Sequence, residues 1–243
     1  MGLFRSVRDM NLLLKIKKIA LCLLHPNFYR SYINGVCPLF ETKDILKDLE
    51  KVDLLLDVGS NKGQFSILFN YYFPNSKIYS FEPQIKYLNI QKKILSNKSK
   101  FFNLCLGNKD GFDYLNITDK EDSSSILEPN ILKKSIYKII DKIKIKVTKL
   151  DTIIKLPSKK NIFLKLDVQG YEKNVLMGSK KNLSRIKYIL IELSSHEVYR
   201  KQHTLKDICL FLKKNNFKLI KIINKSFLIK NINQADYFFC KLK

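Results

Sequence analysis

Short, nearly unbroken apolar runs alternate with helical stretches along most of this chain, and that alternation restricts the fold more than any other feature. Leu54 to Val58 and Asn161 to Leu166 are strand-length runs with almost no polar break. Lys77 to Phe81, Lys100 to Leu106 and Ile186 to Leu193 read as further strands. Helices are predicted between them: Gln64 to Phe73, stopped by Pro74; Pro83 to about Leu95; Tyr171 to Lys181; and Leu205 to Asn215. Strands that stay apolar on both faces belong to a parallel sheet covered by helices on both sides. Phe217 to Ile223 and Asp236 to Leu242 lie too close together for a helix between them, so they read as a closing antiparallel hairpin. The expected fold is α/β, a Rossmann-like, mostly parallel sheet with helices on both faces and an antiparallel end.

Two regions read differently. The middle holds a polar loop (Asp119 to Ser125), a predicted helix from Ile131 to Ile140 and an alternating strand from Ile143 to Leu150. Its Lys-rich stretch, Leu132 to Lys146, is read as largely helical. At the start, Phe4, Val7, Met10, Leu14 and Leu21 recur at near-helical spacing, interleaved with Arg5, Arg8, Lys15, Lys17 and Lys18. Such a helix either lies on an anionic membrane or packs its apolar side on the domain. The expected division is an N-terminal helical extension over residues 1–50 and one domain over 51–243.

Composition narrows the partners. The chain of 243 residues carries 45 Lys and Arg against 22 Asp and Glu, a formal charge of +23. Only five of the basic residues are Arg, and the lysines are scattered along the whole length. A polyanionic partner is one reading and a solvated cationic surface the other, with specific nucleic-acid binding the weaker expectation because such sites favour Arg. Cys22, Cys37, Cys105, Cys209 and Cys240 are odd in number and widely spaced, without C-x-x-C, which argues against structural zinc and against a secreted disulfide scaffold. No apolar run approaches the ~20 residues of a spanning helix. The expected location is the cytoplasm, either free or peripheral to a membrane through residues 1–24.

In an open parallel sheet, ligands bind beyond the carboxyl ends of the strands. Four polar segments fall there. Asp57-Val58-Gly59-Ser60-Asn61-Lys62-Gly63 joins the first strand to its helix, with glycines that allow close approach and an acid that can hold an ammonium. It fits neither the P-loop nor the three-glycine dinucleotide pattern. Glu82 ends the second strand and can accept both hydroxyls of a ribose. Lys165 and Asp167 share one face of a buried strand that ends at Asp167, followed by Gln169, a tight turn at Gly170 and Glu172 in the first turn of the next helix. Glu192 sits at the end of another apolar strand, with His196 in the loop beyond it.

In order along the chain, LLLDVGSNKGQFS, IYSFEP, the Ser123-Ser124-Ser125 loop, KVTKLDTI, FLKLDVQGYEKNVLMGS and the IELS strand resemble the FkbM family of S-adenosylmethionine-dependent methyltransferases. The likeness implies a class I methyltransferase fold of seven strands, the last antiparallel. It also implies methyl transfer to a hydroxyl of a sugar, glycan, glycolipid or small metabolite. By this resemblance Asp57, Gly59, Asn61 and Gly63 hold the methionine end of S-adenosylmethionine, and Glu82 holds its ribose. Leu104 to Asn108 flank the adenine, Ser124 and Ser125 close over the cofactor, and Asp167 lies beside the methyl. Asp167, then His196, then Glu172 are the candidate bases. Gln169 stands where the family often has Glu. No metal site is expected. The rival readings are an RNA 2′-O-methyltransferase, for which Lys62, Lys165, Asp167 and Glu192 are the nearest available set, and a non-catalytic binding module of the same fold.

Overall fold

The computed structural model describes residues 16, 18–95, 97–130, 137–226 and 234–242. Its centre is a seven-stranded sheet in the order β3-β2-β1-β7-β8-β10-β9. The strands are β1 (Leu54–Val58), β2 (Lys77–Phe81), β3 (Ser99–Phe102), β7 (Ile162–Leu166), β8 (Ile186–Ser194), β9 (Phe217–Ser226) and β10 (Gln234–Lys241). Pairings from β3 to β8 are parallel, and β10 runs antiparallel to both β8 and β9. The expected class I methyltransferase topology is therefore present. The order reverses between β1 and β7, so their carboxyl ends open a crevice between neighbouring connections.

Strand alternation divides the core into two layers. Leu54, Leu56, Val58, Leu164 and Leu166 pack on one face of the sheet, and Leu55, Phe163 and Leu190 on the other. The first layer is covered by α6 (Glu172–Met177) and α8 (Leu205–Lys214) through Val175, Leu176, Ile208 and Leu212. The second is covered by α3 (Gln64–Tyr72) through Phe65, Leu68 and Phe69. Cys22, Phe28, Val36, Ile45 and Leu46 join that second layer, so residues 22–46 pack onto the domain. This stretch includes α1 (Pro26–Ile33) and α2 (Lys43–Lys47). Ile16, Ile19, Leu23 and Leu24 remain exposed; most of the basic N-terminal segment lies outside the described residues. Among the described residues no helix is long and apolar enough to cross a membrane.

Several boundaries need correction. The strand expected over Lys100 to Leu106 splits into β3 and β4 (Cys105–Leu106), which belong to different sheets. The break is held by Asn103, whose side-chain amide donates to the carbonyls of Glu82 and Pro83. Residues 105–148 carry a second sheet, β4-β6-β5, made by β4, β5 (Gly111–Thr118) and β6 (Ile139–Thr148). β5 was not expected. The predicted helix ending at Ile140 gives way to strand from Ile139 onward, and the Lys-rich stretch is extended over Ile139–Lys146; residues 131–136 lie outside the described ones. β6 obeys a period of two: Ile145 and Val147 are buried, while Lys142, Lys144 and Lys146 point out. The predicted Tyr171–Lys181 helix is two short ones, α6 and α7 (Lys180–Leu183), separated at Gly178.

Candidate active site

The β1–α3 loop is clamped from two sides. The N–H groups of Gly59 and Ser60 donate to the carbonyl of Phe81 at the end of β2 (3.0 and 3.3 Å). On the other side Gly59, at φ +74°, lies so near the end of β7 that a Cβ there would stand 1.9 Å from the Asp167 carbonyl oxygen. Only glycine fits. Gln91 supports the loop from beneath, donating to Ser60 Oγ and the Asn61 carbonyl. Glu82 is 5% exposed. Its carboxylate accepts the Asn61 N–H on Oε2 and the Gln84 N–H on Oε1, each at 2.9 Å. Burial outweighs those bonds and pushes its pKa up to about 7.

Beyond β7 the polar groups form one connected set. Lys165, buried in a central strand, stands in register with Asp57 of β1 and places its Nζ 3.0 Å from Asp167 Oδ2. Burial works against the lysine's charge, but Asp167, Asp236, Asp57 and Glu192 together raise its pKa. Burial also opposes ionisation of Asp167. Lys165 and the Gln169 amide outweigh it and hold Asp167 below its ordinary range. Gln169 Nε2 donates to Asp167 Oδ1 (2.8 Å) and to Glu192 Oε2 (2.9 Å). Its Oε1 takes a hydrogen bond from the Tyr199 hydroxyl at 3.0 Å, which also reaches the Ser123 carbonyl at 2.8 Å. Glu192 is pushed well up by burial and by the charges of Asp167 and Asp236. The end of β7 therefore sets a carboxylate whose pKa is lowered beside one whose pKa is raised.

Both sets line a single cavity of about 600 Å³ at the carboxyl ends of β1, β2 and β7. Of the residues predicted from sequence, Asp57, Gly59, Asn61, Glu82, Ser124, Ser125 and Asp167 are on its wall. Ser125 Oγ donates to the Gln169 carbonyl, tying the 119–125 loop to the β7 end. Asp57 accepts a hydrogen bond from Ser66 at the start of α3. Gly63, at φ +87°, sits behind the loop against Gln91 and is not on the wall. Glu172 and His196 are not on it either. Glu172 is buried and accepts the Gly170 N–H (2.9 Å), and His196 Nδ1 pairs with Ser195 Oγ (2.8 Å). Sequence reasoning missed Tyr137 and Asp236 on the wall and Tyr199 behind it. The one available signal was Asp236, an acid within the otherwise apolar closing strand and in register with Glu192. Among the described residues no cluster of three or more His, Cys, Asp or Glu is arranged to hold a metal ion.

Residues 57–219 match the methyltransferase FkbM domain. The chain belongs to the FkbM methyltransferase family. This FkbM protein is 26% identical over 179 residues to the 2-O-methyltransferase NoeI of Sinorhizobium fredii (strain NBRC 101917 / NGR234), covering 68% of this chain and 74% of that one. Its fold is similar to that of a Listeria monocytogenes protein assigned as an S-adenosylmethionine-dependent methyltransferase (TM-score 0.50, 11% identity, 84% of this chain and 98% of that one). The magnesium protoporphyrin IX methyltransferase of Synechocystis PCC 6803, solved with bound S-adenosylmethionine, aligns with a TM-score of 0.48 at 12% identity, over 90% of this chain and 85% of that one. As a member of that family, the FkbM protein is an S-adenosylmethionine-dependent methyltransferase, and S-adenosylmethionine is its cofactor.

The cavity of the FkbM protein suits that cofactor. Eight of the chain's 22 acids line it, against two of its 45 basic residues, Lys120 and Lys165. A chain of +23 thus keeps an acidic interior site, matched to a ligand bearing a sulfonium and an ammonium. Asn61 Oδ1, on the wall, is buried without a hydrogen-bond partner among the described residues, an acceptor ready for a ligand donor.

Proposed function

We propose that this FkbM protein transfers its methyl group to a hydroxyl oxygen, on a sugar or glycan acceptor. The observation that carries this reading is the Lys165–Asp167 pair on the cavity wall: a carboxylate held ionised at the end of β7 by a buried lysine. A hydroxyl must lose its proton as it attacks, and an ionised carboxylate beside it can take that proton. The Sinorhizobium fredii relative is a 2-O-methyltransferase, which supports oxygen as the acceptor atom.

S-adenosylmethionine supplies an electrophilic methyl on a good leaving group, so the chain's own work is alignment and proton removal. The Gly59–Asn61 loop and Asp57 receive the methionine end, Glu82 the ribose hydroxyls, Cys105 and Leu106 the adenine, and Ser124 and Ser125 close the mouth. Asp167 takes the acceptor proton. Lys165 and Gln169 fix its orientation, and the raised pKa of Glu192 disfavours a second negative charge beside it. Glu172 and His196, off the wall, have no proton-transfer role.

The test is incubation with methyl-¹³C donor and a set of neutral saccharides, with products read by NMR and mass spectrometry. The expected product is an O-methyl ether. Asp167→Asn should lower its formation at least a hundredfold while S-adenosylhomocysteine still raises the melting temperature. Methylation at nitrogen or carbon, or an undiminished rate in Asp167→Asn, would overturn the reading. The exposed Leu23 and Leu24 also support peripheral contact with an anionic membrane. Leu23→Glu with Leu24→Glu should then lower sedimentation with anionic vesicles, and unchanged sedimentation refutes that contact.

A further inference from the structure

One face of the β5–β6 hairpin presents rings and lysines together. Register sets Phe112 opposite Lys146 and Tyr114 opposite Lys144, and alternation adds Ile140 and Lys142 to the same face. Phe112, Tyr114 and Ile140 are 65%, 56% and 66% exposed, among the most open large apolar side chains of the molecule. Lys144 Nζ lies over the Phe112 ring, 5.0 Å from its centroid. The opposite face is spent on the core through Leu115, Ile145 and Val147. The open face ends where Asn116 donates to the carbonyls of Ser125, Ile126 and Leu127. Ser125 and Ile126 are on the cavity wall, so the hairpin surface runs up to the mouth of the active site.

We propose that this face is an acceptor subsite for an anionic sugar: it holds a carboxylate- or phosphate-bearing residue of a glycan while an uncharged ring of the same glycan enters the cavity. The inference deepens the sugar-hydroxyl reading and rests on it. Aromatic faces take the apolar faces of sugar rings, and lysines take the anionic substituents. The contrast in charge decides between glycan and nucleic acid. A nucleic acid carries a phosphate beside every ribose hydroxyl and would bring one into a cavity lined by eight acids and two bases. A glycan charged only at some residues keeps its anion on Lys144 and Lys146 and presents a neutral ring inside.

The experiment is a binding titration, at low and physiological salt, of four probes: a galacturonate hexasaccharide, a phosphorylated oligosaccharide of similar length, neutral maltohexaose and a single-stranded hexaribonucleotide. Wild type is compared with Lys144→Glu/Lys146→Glu and with Phe112→Ser, surface changes whose folding is checked by an unchanged melting shift with S-adenosylhomocysteine. At least one anionic sugar should bind ten times tighter than maltohexaose, weaken with salt, lose at least tenfold in the double variant and lose severalfold in Phe112→Ser. The two anionic arms identify the group recognised. Binding of neither, or binding indifferent to the variants, overturns the subsite, and so does an oligonucleotide that binds tightest and shows the same losses. Binding is read without turnover, so lost binding with intact O-methyl product removes only the subsite, and binding without such product removes only the hydroxyl reading.

Discussion

The carbonyl oxygen of Asp167 stands 1.9 Å from the position a Cβ on Gly59 would occupy, so the β1–α3 loop and the end of β7 are pressed together backbone to backbone. No side-chain rotation relieves such a contact. Gly59→Ala must push the two segments apart and hold alanine at φ +74°. It should destabilise the fold by at least about 2 kcal/mol. It should also abolish the melting shift given by S-adenosylhomocysteine, as calorimetry of both forms would record. A variant as stable and as responsive as wild type would show that the loop does not need this approach.

Gln169 gives both amide protons to carboxylates and takes a bond from Tyr199 on its oxygen. Gln169→Glu replaces the donor with a third carboxylate between Asp167 and Glu192. The new group shares a buried region with like charges, so its pKa in the folded state rises above its unfolded value. Its protonated form is the compatible one, and stability is lost as pH rises through that raised pKa. The melting temperature of Gln169→Glu should therefore fall progressively below wild type between pH 5 and pH 8, and a constant difference would contradict this.

Glu172 offers a cleaner pH test because it lies off the cavity wall. Burial pushes it up to about 7 from an ordinary value of 4.5. Its contribution to stability is full below about pH 4.5 and is lost as pH climbs through 7, at a cost of up to about 3 kcal/mol. Glu172→Gln keeps an acceptor for the Gly170 N–H and removes the titration. Denaturant unfolding from pH 4.5 to 8 should show a steeper decline for wild type than for the variant, with methyl transfer retained. Parallel curves would sink the assignment.

Glu82 is held near 7 by the same cause. A carboxylate accepts ribose hydroxyls best when ionised, so affinity for S-adenosylhomocysteine should rise as much as about tenfold between pH 6 and pH 8. Glu82→Gln should bind more weakly at pH 8 and lose the dependence. Titration calorimetry at the two pH values decides it.

What the sequence disclosed follows from how local the causes are. The strand at Leu54–Val58, its glycine loop and the acid at Glu82 are written in neighbouring residues, and the resemblance to the FkbM family extends over the same segments. The alternation from Ile143 onward reads correctly as strand, but the start of that strand reads as helix because Lys and Ile in KIIDKIKIK satisfy both a solvated helix and a half-buried strand. Pairing with Gly111–Thr118, itself unremarkable in composition, resolves the ambiguity in favour of the strand. The bonds of Gln169 to Glu192, 23 residues on, and to Tyr199, 30 residues on, exist only after β7 and β8 pair, so no local pattern announces them.

The acidic lining has a consequence for turnover. On the proposed mechanism a bound S-adenosylmethionine would bring a sulfonium cation and leave as a neutral thioether, while the acceptor proton would neutralise one carboxylate of the wall. Both changes would weaken, without removing, the attraction between the wall and the cofactor, because the spent form keeps its ammonium. That mechanism would make the surrounding field favour exchange of spent cofactor for fresh.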